Sequence, residues 1–150
     1  MYDEADAFVD ELREADIARM RRAIVYEADE YEDHHVREDV EASYTPEEFD
    51  EQAKQLVLKA LDDEVEQPEF ARFGHLDMTV RWFHDVVVLQ VPLGEWGGVI
   101  VTFDRDSVVD TGAFTDIALD YIDDESSEIR DVDGADESFD DAVEDAFSGQ

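Results

Sequence analysis

The strongest constraint on the fold lies in residues 76–103, where three candidate strands follow one another with little between them. Val86–Val91 (VVVLQV) is almost wholly apolar, so it has no side to give to water. A strand of that kind belongs inside a sheet with both faces covered. Before it, Leu76–Phe83 alternates, with Leu76, Met78, Val80 and Trp82 on one face, and His84-Asp85 makes the turn. After it, Pro92 ends the strand because proline has no N–H for the ladder, and the loop Leu93–Gly97 leads into Gly98–Phe103.

The rest of the chain supplies the cover. Asp3 to about Met20 reads as a helix with Ala5, Phe8, Val9 and Leu12 on one face. Ala23–Ala28 and Tyr31–Arg37 read as two strands joined at Asp29-Glu30, the second polar enough to be a protected sheet edge. Thr45-Pro46-Glu47-Glu48 is a capping box with proline at the first helical position, and it starts a helix running to about Asp63. The core stripe of that helix is Phe49, Ala53, Leu56, Val57, Ala60 and Leu61. Leu58 points the other way, and Val65 would stack one heptad after it. A last helix over Thr111–Ile122 places Phe114, Ile117, Ala118, Tyr121 and Ile122 inward, with Ser107 or Asp110 as cap. The expected fold is α+β: a five-stranded antiparallel sheet with helices on its faces, in the order α-β-β-α-β-β-β-α.

Charge sets the conditions under which such a core can form. The 150 residues hold 44 acids against 11 bases, a net −33, and lysine occurs only at Lys54 and Lys59. Acid-rich, lysine-poor surfaces are the pattern of proteins from salt-accumulating microbes. A disordered acidic chain is excluded by 43% hydrophobic and 11% aromatic residues arranged in periodic segments. Asp123–Gln150, with twelve acids and Arg130 as its one base, is expected to be a largely disordered tail behind a single domain at 1–122. Nucleic acid is an unsuited partner, since phosphate binding needs a basic footprint. The one basic cluster, Arg19, Arg21 and Arg22, lies among acids and reads as intramolecular pairing. No apolar run approaches the roughly 20 residues that span a bilayer. The acidic start of the chain lacks the basic and apolar regions of a secretory signal, so a cytoplasmic location is expected.

Little in the chain points to a reaction. There is no cysteine, which removes disulfides, thiolate nucleophiles and cysteine-zinc sites together. His34-His35 with Glu38 and Asp39 is the one cluster that could ligate a metal. Adjacent residues of a regular strand point to opposite faces, however, so the two rings would not share an ion. Neither a His-Glu-x-x-His nor an EF-hand spacing is present, and no cofactor is expected. Ser107 lacks a nucleophile elbow, and the glycines of Leu93–Gly98 lack the lysine of a phosphate loop. Trp96, in that loop, is expected in the core or partly buried.

Two resemblances accompany these residues. The stretches IVYEADEYEDHHVRED (24–39) and DMTVRWFHDVVVLQVPLGEWGGVIVTFDRD (77–106) resemble a group of small uncharacterised acidic proteins of halophilic archaea. The order of elements over about residues 3–122 resembles the roadblock (dynein light chain 7) domain within the profilin-like folds. That second resemblance implies a non-catalytic scaffold or regulator, dimeric through its second helix and third strand. Here those elements carry Leu58, Val65, Leu76 and Met78 as the expected contact residues, with a protein partner and possibly a second copy. The alternative is a small hydrolase or metal-dependent enzyme using His34 or His35.

Overall fold

The computed structural model describes residues 3–64, 68–109 and 111–121. Val65, Asp110, Ile122 and the acidic segment at 123–150 lie outside the described residues. The helix α1 spans Asp3–Ala15, followed by strands β1 (Met20–Glu27) and β2 (Glu30–Val36), a short helix α2 (Glu38–Ala42) and the long helix α3 (Pro46–Glu64). A 3-10 helix, Pro68–Phe73, leads to β3 (Thr79–Trp82), β4 (Val86–Pro92) and β5 (Gly97–Asp104). A second 3-10 turn, Arg105–Ser107, precedes helix α4 at residues 112–121. All pairings are antiparallel, and the sheet order is β2-β1-β5-β4-β3. The expected class and order of main elements are those observed; the short α2 and the two 3-10 segments are additions.

Alternation along the inner strands separates two cores. Ala23 and Val25 of β1, Leu89 and Val91 of β4, and Val99, Val101 and Phe103 of β5 face α1 and α4. There they meet Phe8, Val9, Leu12, Phe114 and Ala118, with the Phe103 and Phe114 rings stacked at 4.6 Å. Ile24, Tyr26, Val88 and Ile100 face the other way and pack on Ala53, Val57 and Ala60 of α3. The run Val86–Val91 is therefore apolar for the reason inferred: helices cover it on both sides.

The cap of α3 forms as its sequence requires. The Thr45 N–H donates to Glu48 Oε1 at 2.9 Å, and the Glu48 N–H to Thr45 Oγ1 at 3.1 Å. Boundaries elsewhere shift. The first helix stops at Ala15 rather than near Met20, with Asp16 in a left-handed conformation (φ 50°) and no glycine to announce it. The residues freed become the start of β1, because Met20 and Arg22 pair with Phe103 and Thr102 of β5. Leu76–Met78 likewise stay out of the ladder, so β3 has only four residues. Ser107 does not cap α4; its Oγ donates to the Asp104 carbonyl (2.7 Å) and accepts the Arg19 N–H (2.9 Å).

The basic cluster is consumed inside the molecule. Arg19, Arg21 and Arg37 converge on Asp104 at 3.3, 3.0 and 2.9 Å. Partial burial pushes the Asp104 carboxyl up, but hydrogen bonds from Arg37 and Arg21 outweigh it and hold the group below the usual carboxylate range. Arg22 points to the α3 side instead and bonds Asp33 through two nitrogens.

Candidate functional site

The histidines occupy an irregular edge strand. Ala23 pairs with His35, but the next residue, Ile24, pairs with Asp33, so His34 is the extra residue of a β-bulge. Cross-strand partners share a face, which puts His35 with Ala23 on the α1 side. His34 faces α1 too, with Nδ1 3.0 Å from Asp6 Oδ1 and Nε2 2.9 Å from Asp10 Oδ1. The expectation that the rings point to opposite faces is thus corrected: the bulge turns both toward α1. Asp6 and Asp10 are one helical turn apart, so α1 offers one carboxylate to each nitrogen of the same ring.

Sharing a face does not make these residues a metal centre. Both nitrogens of His34 are committed to carboxylates, and Asp39 is held by Arg37 at 2.6 Å. Glu38 opens α2 and is exposed. Among the described residues no group of three or more His, Asp or Glu side chains is placed to hold a metal ion.

His35 is half-buried, and burial, then the charges of Arg13, His34 and Arg37, lowers its pKa from the ordinary 6.5. The folded state therefore binds this proton less readily than the unfolded chain. Above pH 6.5 both states are neutral at His35 and the group is silent. As pH falls below that value the unfolded chain protonates first, so stability drops until the folded-state pKa is passed. Replacing His35 by Gln is expected to flatten the fall in melting temperature as the pH drops below 6.5. An unchanged slope would mean that His35 does not titrate differently on folding.

The two edges of the sheet contrast. The outer strand β2 reads Glu-Tyr-Glu-Asp-His-His-Val and presents charge. At the opposite edge, among the described residues, β3 pairs only with β4, leaving its outer N–H and C=O groups without a strand. Exposed apolar side chains flank it along the chain. Phe70, Phe73 and Leu76 lie exposed before it, and Trp82 and Phe83 at its end. The Phe70 and Phe73 rings stack on each other at 5.7 Å, and the Arg105 guanidinium sits 5.7 Å from the Trp82 ring centre. Arg81 of β3 is paired with Asp63 of α3, which ties that helix to the edge.

Of the expected contact residues, Leu58 is 56% exposed on α3 and Leu76 is exposed beside β3. Met78 is half-buried against the α1–α4 core. Phe70 and Phe73 lie outside any periodic segment, so hydrophobic patterning does not single them out. The signal available was the PEFARF composition itself: two large aromatics three residues apart in a short linker. Trp96 is another departure, being 47% exposed on the β4–β5 loop, with its backbone left-handed at φ 61°.

The fold and its surface define a small α+β domain in which five of the exposed large apolar residues, Phe70, Phe73, Leu76, Trp82 and Phe83, fall in the stretch of chain that contains the edge strand β3. The chain belongs to the family described as a domain of unknown function (DUF7522), whose profile matches residues 6–123. No curated protein and no solved structure matches it. Among the described residues no helix is long and apolar enough to cross a membrane.

Proposed function

We propose that the protein is a non-catalytic interaction or regulatory domain of a salt-adapted cytoplasm, acting as a homodimeric scaffold. The observation that carries this reading is the outer β3 edge, which no strand among the described residues pairs, together with the exposed Phe70, Phe73, Leu76, Trp82 and Phe83 in the stretch of chain that contains it. An apolar open edge is an aggregation liability unless a partner covers it, whereas the charged β2 edge protects itself. A two-fold contact would set each β3 and each Leu58 against its copy. The order of elements supports the roadblock resemblance, in which the second long helix and third strand form the dimer. The acid-rich, lysine-poor composition supports an origin in a salt-accumulating archaeon.

Light scattering in molar KCl is expected to give about twice the chain mass of 17.2 kDa. Leu58→Asp is expected to return the monomer without unfolding it, because Leu58 lies off the buried Ala53–Val57–Ala60 stripe. A wild-type monomer at high protein and salt concentration would overturn the dimer.

A further inference from the structure

We propose that Trp96 is a contact residue for an arginine- or lysine-bearing segment of a partner protein, at a site separate from the β3 edge. Trp96 sits at the tip of the loop between β4 and β5, nearly half exposed. Its φ of 61° is a left-handed conformation that disfavours side chains with a Cβ and suits glycine or asparagine at this place in a hairpin loop. Such a residue persists only where its surroundings over-determine it. They do so here. The Ala28 N–H donates to the Trp96 carbonyl at 2.7 Å, and the Leu93 N–H to the Gly97 carbonyl at 2.8 Å. A Cβ on Gly98 would stand 2.8 Å from Pro92 Cα, so the loop has no slack on its far side. Ala28 is itself left-handed (φ 52°), in the β1–β2 turn that the Trp96 carbonyl staples to this loop. Two strained non-glycine residues thus hold one large apolar residue nearly half exposed.

The charge around this end of the sheet selects the occupant. The two stapled turns carry Glu27, Asp29, Glu30 and Glu95 and no base. The arginines that converge on Asp104 sit at the opposite end of the same strands. An indole face attracts a guanidinium or ammonium ion, and the neighbouring carboxylates supply its counter-charge. Carboxylates alone would bind cations without preference and lose them in salt; the indole adds a contact that screening removes less.

The test uses an acetylated, amidated hexapeptide of alternating glycine and arginine, titrated in molar KCl. Trp82→Phe leaves Trp96 as the sole indole of the chain's two, and its emission is expected to change saturably with peptide. In the otherwise wild-type chain, Trp96→Gly is expected to weaken calorimetric binding about tenfold while the melting temperature stays equal or rises. Trp96→Asn, which also tolerates the left-handed backbone, serves as the second variant. Equal affinity in both variants, or no saturable binding in molar KCl, would overturn the proposal. A melting temperature lowered in both would do the same, since it would make Trp96 a structural residue.

Discussion

In dilute buffer the protein is expected to lose its cooperative fold, and to regain it as KCl approaches molar concentration. The net charge of −33 means that pairing every base with an acid still leaves 33 carboxylates without a counter-charge. Self-repulsion of that kind opposes compaction. At about 0.01 M salt the Debye length is about 30 Å, longer than a small domain's radius, so all surface acids repel one another; at 1 M it is about 3 Å. Salt also weakens attractive pairs, so the sign of the net effect must be settled by geometry. Arg22–Asp33, Arg37–Asp104 and Arg21–Asp104 are in contact at 2.6–3.0 Å and partly shielded from solvent. Direct, partly buried pairs are screened much less than exposed charges at a distance. The repulsion therefore fades faster than the attraction, and stability rises with salt. Thermal melts across a KCl series measure it directly, and equal or greater stability in dilute buffer would sink the argument.

How much of this was legible in the sequence depends on the range of the interaction that decides each feature. Thr45 and Glu48 cap α3 through bonds spanning three residues, so the motif could be read without any fold. The apolar run Val86–Val91 states its own burial on both faces. Arg19 and Arg21 do pair within the molecule, as their acidic setting suggested, but their partner Asp104 lies more than 80 residues away. What could not be read are features set by a neighbour across the fold. The end of α1 at Ala15 follows from β5 recruiting Met20–Arg22 into the sheet. The bulge at His34 changes which face two histidines share, and nothing local marks it. The contact residues were half legible: Leu58 stood out as an apolar residue off the stripe of its helix. Phe70 and Phe73 gain meaning only once the sheet order leaves β3 at the edge.

Breaking the Arg22–Asp33 pair is expected to cost more stability than breaking any other ion pair of the sheet. Arg22 is only 2% exposed, beside the buried Ala23 and Ile24 of β1. Its Nε and Nη2 bond the two Asp33 oxygens at 2.6 and 3.0 Å, and Nη1 donates to the Phe49 carbonyl at 2.9 Å. The guanidinium carbon lies 3.4 Å over the Phe49 ring centre. One side chain therefore joins β1, β2 and the first turn of α3. Removing one partner of a buried pair typically costs about 3–5 kcal/mol, because the other charge is left uncompensated. The two partners differ in depth: the Asp33 side chain keeps 27% of its surface exposed. Arg22→Ala leaves the better-solvated charge behind and should cost about 3 kcal/mol, cavity included. Asp33→Ala leaves the more deeply buried charge and should cost at least as much, despite deleting the smaller and wetter side chain. Urea unfolding in molar KCl would measure both, since guanidinium chloride would itself supply screening salt. A cost below about 1 kcal/mol for Arg22→Ala would mean that Arg22 does not hold α3 to the sheet, and a milder effect for Asp33→Ala would mean that the guanidinium is not left uncompensated without it.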